Sequence, residues 1–293
     1  MDCLLIAKEV MEWLDHAGAA RIMVIGEPIL DRYNYVEPLG KSPKDSIVTW
    51  HPTGRTDFRG GGWIVAEHAR AISKNVCYQN EFDAPVLKER YVNKVFSHKV
   101  FALVDHAWMN ESVMLPEGYD VCLVADYGHG LLREDAVARL APYRFLALTV
   151  QSNSANWGFN LLTKWPRADY VVIDQLELRL ACHDQHGDIE QLACQQARRM
   201  GTTMFAVTLG HEGCLVINGG AVVWSPAVAD KVIDRMGAGD AFLAVTAPLV
   251  WAGAPADVVA LVGNVAGGIK VGKLGNQPVT RAEIDARLKE LLE

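Results

Sequence analysis

Short, uninterrupted runs of apolar residues recur through this 293-residue chain and restrict its fold more than any other feature. Each run has the length of a strand but does not alternate between apolar and polar residues, which is typical of strands buried on both faces. Segments with helical spacing lie between them, so the sequence predicts an α/β fold with a mostly parallel sheet covered by helices. The predicted strands are Ile22–Ile25, Val121–Ala125, Phe145–Val150, Tyr170–Ile173 and Met204–Thr208, and the predicted helices include 133–140, 176–182 and 189–200.

The composition fits one large α/β domain spanning residues 1–293. Apolar residues make up 50% of the chain and charged residues 22%, and the net charge is −7. An acidic chain is a poor candidate for non-specific nucleic-acid binding, which depends on basic residues meeting phosphates. The N-terminal segment has the spacing of an amphipathic helix interrupted by acidic residues, unlike a signal peptide, and no run is long enough to span a bilayer. We therefore predict a cytoplasmic protein without nucleic-acid or membrane partners.

Two segments depart from the strand–helix alternation. Residues 33–58 are rich in proline, glycine, threonine and charge, and residues 87–104 contain several β-prone aromatic and branched residues. We interpret both as strands of a small accessory sheet that forms a lid over a site. The alternative is that both are ordinary surface loops.

The glycine-rich turn that ends in Asp240 carries the strongest chemical signal. Gly237 and Gly239 flank the small Ala238, and an apolar helical pattern follows. Glycines allow close approach of the backbone to a ligand, and a helix N-terminus offers unpaired N–H groups, so the segment suits a transferring phosphoryl group. Asp240, in the first helical turn, would accept the proton of an attacking hydroxyl. The alternative is a glycine-rich turn with an acidic helix cap. Pro248 predicts a kink or an end of this helix.

The turn and its helix resemble the signature of ribokinase-like (PfkB) sugar kinases. The chain is most similar to the kinase domain of bacterial heptose-phosphate kinase/adenylyltransferases, over roughly residues 20 to 280. Further segments that resemble the family occur in the family's order: Ile22–Leu30 with Asp31-Arg32-Tyr33, Gly60-Gly61, Ala125–Gly130, Thr208–Gly210 with Gly213, Gly263–Ala266 and Val271–Gly275.

The resemblance implies ATP and Mg²⁺ as cofactors and a sugar or sugar phosphate as the small-molecule substrate. It implies that Asp240 is the catalytic base and that the backbone of Gly237, Ala238 and Gly239 stabilises the phosphoryl group. Asp31, Gly60, Gly61, Asn153 and Asn156 are then predicted to bind the acceptor. Thr208, Gly210, Gly213 and Asn264, together with Asp174 and Glu177, are predicted to bind the nucleotide, the two carboxylates by holding Mg²⁺ through water. Lid sheets in this family often pair between subunits, which makes a homodimer an expectation.

Several positions depart from the family pattern. Arg235 and Met236 stand where two threonines are usual, Asp174 replaces an asparagine, and Ile64 replaces an asparagine that contacts the sugar. The segment 151–158 carries neutral amides where the family has Asp-Pro-Lys, which suits hydroxyls or a nucleobase. The short stretch between Asn75 and Leu87 predicts a fold trimmed by one β/α unit.

These departures cluster around the acceptor, so the sequence predicts retained phosphoryl transfer to an altered acceptor. The first hypothesis for that acceptor is a heptose phosphate or a similar phosphosugar. One alternative is a catalytically degenerate relative that binds nucleotide or sugar, and another is a nucleoside kinase.

Other polar and aromatic residues are interpreted as structural. The aromatic side chains of Trp63 and Trp157 are predicted to lie in the core and not to stack on a ligand. His211 is interpreted as an exposed loop residue, and the basic residues of the lid segments as a solvated charged face. These lid residues are Lys88, Arg90, Lys94, His98 and Lys99. The group Cys182, His183, Asp184 and His186 fits no common zinc spacing and is interpreted as a polar helix end.

Overall fold

The fold is built from alternating strands and helices with one interruption by a run of strands. The computed structural model describes residues 3–79, 85–96, 98–105, 113–114 and 117–292. In chain order the elements are α1 (Cys3–Ala17), β1 (Ile22–Gly26), β2 (Pro28–Lys41), β3 (Val48–Gly61), α2 (Gly62–Ala69), β4 (Val76–Tyr78), β5 (Val86–Asn93), β6 (Lys99–Val104), β7 (Val121–Asp126), α3 (Glu134–Leu140), β8 (Leu146–Val150), β9 (Tyr170–Asp174), α4 (Gln175–Cys182), α5 (Ile189–Met200), β10 (Met204–Thr208), β11 (Cys214–Asn218), β12 (Ala221–Ser225), α6 (Ala238–Ala252), α7 (Ala256–Val271) and α8 (Arg281–Leu292).

The main sheet has eight strands in the order β12-β11-β10-β9-β8-β7-β1-β4. The pairs from β4 to β10 are parallel, and β11 and β12 add antiparallel partners at one edge. Every residue of β1, β7 and β8 is buried, as expected for strands with helices on both faces. The helix α6 packs against α1, α2 and α7, whereas α4 and α5 pack against each other and against β10.

The predicted strands and helices of the main sheet are confirmed within one or two residues. The reason is physical: apolar runs of strand length flanked by polar helices leave few other ways to bury their surface. Within the described residues, no helix is both long and apolar enough to cross a membrane.

A second, four-stranded sheet has the order β3-β2-β5-β6 and forms the predicted lid. Its β2–β3 and β5–β6 pairs are antiparallel, and β2 and β5 are parallel. The lid begins at Pro28, five residues before the predicted boundary at Tyr33, and its β3 runs to Gly61. Asp31 therefore lies on a lid strand, since the chain changes sheets at Glu27.

Only residues 79–85 separate β4 from the lid strand β5. The predicted trimming by one β/α unit falls on this stretch, of which residues 80–84 lie outside the described residues, and it stays a prediction.

The helix α6 does not end at Pro248, where the sequence predicts a kink or an end. It continues to Ala252, and the residues beside the proline, Ala247 and Leu249, are fully buried. Proline removes one N–H from the helical ladder, but burial of the apolar side chains around it stabilises the helix through this position.

Candidate active site

The glycine-rich turn forms the N-terminus of α6. Gly237 precedes the helix with a φ of 78°, a left-handed conformation that favours glycine, and Ala238 begins the helix. The backbone N–H groups of the first turn have no acceptors within the helix and therefore face the space in front of it. Asp240 lies in this first turn with a partly exposed side chain. The local geometry is thus a glycine turn at a helix N-terminus, as the sequence predicts, and this arrangement is suited to bind an anion.

A single cavity of about 780 Å³ runs from the glycine turn in two directions. One arm follows the carboxyl ends of β9 and β10, where Glu177 and Thr208 line it. The other arm extends under the lid, where Asp31, Lys88 and Arg90 line it. Carboxyl ends of parallel strands are the usual place for ligands in such sheets. Asp240 also lines the cavity, in the first turn of α6 and beside Tyr127.

Tyr127 holds the carboxylate of Asp240. Its hydroxyl donates a hydrogen bond of 2.9 Å to Oδ1 of Asp240. Burial raises the pKa of Asp240 to about 6, while the Tyr127 hydrogen bond and the charge of Lys270 act in the opposite direction. A carboxylate with a pKa near the working pH is suited to accept a proton.

The turn that carries Tyr127 is fixed by buried polar groups. The carboxylate of Glu27, fully buried, accepts hydrogen bonds from the backbone N–H groups of Tyr127 (3.0 Å) and His129 (2.9 Å). Burial and the nearby Asp126 raise the pKa of Glu27 to about 7. The sequence predicts neither the Glu27 contact nor the Tyr127–Asp240 bond, although the segment Ala125–Gly130 resembles a family motif.

Asn153 and Asn156 are placed differently from their predicted role in binding the acceptor. Both side-chain amides donate hydrogen bonds of 2.8 Å to the carbonyl of Tyr127, and Asn156 also donates to Gly128. Neither residue lines the cavity, whereas Gln151 of the same segment does. The amides of Asn153 and Asn156 are used to hold the Tyr127 turn and act on the site only through it.

Asp31 anchors the lid arm of the cavity. Its carboxylate is buried, forms an ion pair with Arg90 and accepts a hydrogen bond from the side-chain amide of Asn276. Gly60 lies against this group, since a Cβ at Gly60 would approach Oδ2 of Asp31 to 2.5 Å. Gly61 has a φ of 61°, and a Cβ there would meet the carbonyl of Glu27 at 2.1 Å. The two glycines therefore permit close packing of β3 at the predicted acceptor site.

Lys88 and Arg90 belong to the cavity and not to an exposed charged face, so that interpretation of these two residues is wrong. Lys88 is 9% exposed, and burial lowers the pKa of its ammonium group. The strand β5 pairs with β2 in the lid, and this pairing turns the side chains of Lys88 and Arg90 inward. The sequence signal that could have indicated this is their spacing of two, which places both on one face of a strand.

Two carboxylates lie at the start of α4. Asp174 accepts a hydrogen bond from the N–H of Glu177 (2.7 Å), and Glu177 accepts one from the N–H of Asp174 (2.9 Å). Further backbone hydrogen bonds, from Leu176 to Asp174 and from Ser152 to Glu177, help to hold the two carboxylates. Burial and the charge of Asp174 raise the pKa of Glu177 well above its usual value. A nearby cation would relieve this cost, so the pair fits water-mediated Mg²⁺ binding.

The arm beyond the glycine turn is lined by the residues that are predicted to bind the nucleotide. Thr208, Gly210, Gly213 and Asn264 all contribute to it. The amide of Asn264 donates to the carbonyls of Ser225 and Pro226, both at 3.0 Å, and so fixes the loop after β12.

The two residues that replace threonines, Arg235 and Met236, both line the cavity. Arg235 is exposed and lines the cavity, where its charge can reach a phosphate. The backbone carbonyl of Met236 accepts a hydrogen bond of 2.7 Å from Nζ of Lys270. His211 is exposed, as predicted, and also lines the cavity.

The remaining aromatic and polar residues have mixed outcomes. Trp63 packs against the core, as predicted, whereas Trp157 is 56% exposed and lies outside the cavity, so its assignment to the core is wrong. Lys99 forms an ion pair with Asp234 at 3.0 Å. At the end of α4, Asp184 accepts backbone hydrogen bonds, and the described residues contain no group of three or more His, Cys, Asp or Glu side chains placed to hold a metal ion.

Comparison with known proteins adds three kinds of similarity. A family profile described as pfkB family carbohydrate kinase matches residues 135–282. The Bifunctional protein HldE of Trichlorobacter lovleyi is 31% identical over 95% of this chain, and that of Nitrosococcus oceani is 27% identical over 94%. The chain spans 65% of the length of each of these two relatives.

Solved structures share the fold at low sequence identity. Ribokinase from Thermotoga maritima has a TM-score of 0.73 at 17% sequence identity. The aligned region covers 92% of this chain and 99% of the ribokinase chain. Phosphofructokinase-2 from Escherichia coli has a TM-score of 0.72 at 12% sequence identity, and the aligned region covers 93% of this chain and 100% of the phosphofructokinase chain. A nucleoside kinase from Burkholderia thailandensis, in complex with inosine, has a TM-score of 0.65 at 16% sequence identity. The aligned region covers 92% of this chain and 98% of the nucleoside kinase chain. These similarities confirm the predicted ribokinase-like fold.

Proposed function

The chain belongs to the PfkB family of carbohydrate kinases, phosphotransferases with an alcohol acceptor, and we propose that it transfers the γ-phosphoryl group of ATP to a hydroxyl of a phosphorylated sugar. The observation that carries this proposal is the position of Asp240. Its carboxylate lines one continuous cavity between the N-terminus of α6 and the lid arm with Asp31 and Lys88. A base in this position can face an acceptor hydroxyl and a terminal phosphate at the same time.

In the proposed reaction Asp240 accepts the proton of the sugar hydroxyl. The hydroxyl oxygen forms a bond to the γ-phosphorus while the bond to the β,γ-bridging oxygen breaks, and ADP leaves with that oxygen. The N–H groups at the start of α6 stabilise the negative charge on the transferring group. Tyr127 keeps Asp240 in place through its 2.9 Å hydrogen bond.

ATP with Mg²⁺ is the proposed phosphoryl donor. When bound, the metal neutralises phosphate charge, and Glu177 and Asp174 are the residues that would hold it through water. Thr208, Gly210, Gly213 and Asn264 lie along the arm that the nucleotide would occupy.

The acceptor is proposed to be a heptose phosphate or a similar phosphosugar. Two observations support this choice. The lid arm contains the buried Lys88 and the neighbouring Arg90, which suit an anionic group on the acceptor. The relatives with about 30% identity are HldE proteins, which the sequence also resembles through its kinase-domain motifs.

The two alternatives have less support. A nucleoside kinase was suggested by the amides of residues 151–158, but Asn153 and Asn156 are engaged with the Tyr127 turn, which leaves Gln151 in the cavity. A degenerate, non-catalytic relative would have no need of Asp240 held at the helix N-terminus by Tyr127.

The proposal is tested by ADP release with a panel of heptose phosphates, hexose phosphates, free sugars and nucleosides. We expect turnover with a phosphosugar and loss of that turnover by about a thousandfold or more in Asp240→Asn, with ATP binding retained. Asp257→Asn is the matched control, because Asp257 lies in the first turn of the next helix and is exposed. Turnover of Asp240→Asn near that of the unchanged protein would refute Asp240 as the base, and release of ADP only with nucleosides would refute the acceptor class.

The homodimer through the lid and the cytoplasmic location remain predictions. Phe101 and Leu103, on the lid strand β6, are 46% and 52% exposed, which is compatible with a contact between subunits. Sedimentation of the purified protein tests the dimer, and Phe101→Asp should shift it toward monomer.

A further inference from the structure

Lys270 is a buried lysine close to the glycine turn that the proposed reaction does not use. It lies in the last turn of α7, and its side chain has an exposure of 0%. Its Nζ donates hydrogen bonds to the backbone carbonyls of Met236 (2.7 Å) and Gly275 (2.9 Å). A buried ammonium group is costly unless its charge is compensated.

No carboxylate of the described residues lies within ion-pairing distance of Lys270. The nearby Asp234 is instead engaged with Lys99 at 3.0 Å and with the Tyr33 hydroxyl at 2.7 Å. The two carbonyls satisfy two of the three ammonium protons but carry no full negative charge. The positive charge of Lys270 is therefore not neutralised by a contacting group within this part of the chain.

The ammonium group lies directly behind the anion-binding turn. A Cβ built on Gly237 would be 3.7 Å from Nζ of Lys270 and 3.2 Å from its Cε. The carbonyl of Met236 belongs to the residue that precedes Gly237, so the same ammonium group also holds the backbone of the turn. The positive end of α6 and the charge of Lys270 thus act on the same space.

We propose that Lys270 is a built-in cation of the phosphate site, a positioning residue that holds the Gly237 turn and whose charge is neutralised by the phosphate groups of the bound nucleotide. This inference rests on the proposed function, since it assigns the phosphates to the N-terminus of α6.

The charge of Lys270 also acts on the proposed base. The groups that face Asp240 are Tyr127, Lys270, Lys88, Asp31 and Glu177, and Lys270 lowers the pKa of Asp240. The groups that act on Lys270 itself are Asp234, Asp240, Lys273, Lys99 and His68. Removal of the Lys270 charge should raise the pKa of Asp240, an effect that a purely structural lysine would produce only by distorting the site.

The first experiment compares Lys270→Met with the control Lys289→Met. Lys289 is an exposed lysine in the last turn of α8 and does not line the cavity. We expect Lys270→Met to lower kcat by about ten- to a hundredfold and to move the acidic limb of the pH–rate profile upward, whereas the control changes neither. In Lys270→Ala, ammonium chloride should restore part of the lost turnover, and tetramethylammonium chloride should not. A folded Lys270→Met protein with unchanged kcat and pH profile would overturn the inference.

A second measurement uses the unaltered protein and does not depend on the acceptor or on the folding of a variant. Burial lowers the pKa of Lys270 in the free protein. The signal of Lys270 Cε, assigned by carbon-13 NMR, should show that this pKa rises when a non-hydrolysable ATP analogue binds, because a phosphate becomes the counter-ion. Binding of the analogue without such a rise overturns the inference alone. Failure of ATP analogues to bind at all overturns the proposed function, and the inference with it.

Discussion

The hydroxyl of Tyr127 donates a 2.9 Å hydrogen bond to Oδ1 of Asp240, which joins the carboxyl end of β7 to the first turn of α6. Tyr127 follows β7 directly, and its backbone N–H is held by the buried Glu27. The proposed base is therefore positioned by the sheet as well as by its own helix.

Substitution of Tyr127 tests this positioning. We expect Tyr127→Phe to lower kcat by about tenfold and to raise the pKa of Asp240, because the hydrogen bond favours the ionised carboxylate. The pH dependence of kcat measures both effects. Tyr143→Phe, which removes a hydrogen bond to the Tyr119 carbonyl at a distance from the cavity, should change neither. An unchanged profile in Tyr127→Phe would show that the bond has no part in turnover.

Turnover should depend on the ionisation of Asp240. Since burial raises its pKa to about 6, the carboxylate is protonated below that pH and cannot accept the hydroxyl proton. We expect kcat to fall by about tenfold for each pH unit below 6. Steady-state kinetics between pH 4.5 and 8 at saturating substrate concentrations would reveal this decrease of kcat at low pH. A flat profile across pH 6 would contradict the assignment.

Asp240 should also cost stability at neutral pH. Its folded-state pKa lies above that of an unfolded aspartate, so the folded protein binds an extra proton between the two values and loses stability as pH rises through about 6. Asp240→Asn should therefore raise the free energy of unfolding at pH 8 by about 1–2 kcal/mol, after allowance for partial exposure. The gain should shrink toward pH 4. Urea denaturation at both pH values measures it, and equal gains at both would disagree with the predicted pKa.

Lys88 should select the acceptor and not the nucleotide. We expect Lys88→Met to raise the KM for a phosphorylated acceptor by about tenfold or more, because it removes a buried cation from the lid arm. The KM for ATP should change little. Lys94→Met is the control, since Lys94 is on the same lid but is exposed and pairs with Glu37. An equal rise of the two KM values in Lys88→Met would argue against an acceptor phosphate at this position.

Gly60 should be needed for the position of Asp31. A Cβ at Gly60 would approach Oδ2 of Asp31 to 2.5 Å and the amide of Asn276 to 2.6 Å, so Gly60→Ala displaces the predicted acceptor carboxylate. We expect a rise of about tenfold in the acceptor KM. The control is Gly54→Ala on the same strand, where a Cβ meets nothing within 4 Å. Equal kinetics of the two variants would place the acceptor elsewhere.

The sequence predicts the main sheet and the glycine turn well, because both are set by local patterns. Apolar runs such as Val121–Ala125 specify buried strands, and the residues of the turn specify the helix end before Asp240. The lid arm is less predictable. Whether Lys88 points to solvent or to the cavity depends on the pairing of β5 with β2, a contact between distant segments.

The contacts of Asn153, Asn156 and Lys270 are not predictable from the sequence for a similar reason. The side-chain amides of Asn153 and Asn156 could bind a ligand or the backbone. Only the folded structure shows that the carbonyl of Tyr127 accepts hydrogen bonds from both amides. Lys270 follows an apolar helical segment, where a lysine would usually extend into solvent. Its burial follows from tertiary contacts, since the carbonyls of Met236 and Gly275 accept hydrogen bonds from its Nζ.

The contact between Tyr33 and Asp234 has a mechanical consequence. Tyr33 is two residues from Asp31 on β2, and its hydroxyl donates a 2.7 Å hydrogen bond to the carboxylate that stands three residues before Gly237. Any outward movement of the lid would break this bond and the ion pair between Lys99 and Asp234. Under the proposed function, exchange of the acceptor would therefore be mechanically coupled to the loop that leads into the phosphate site.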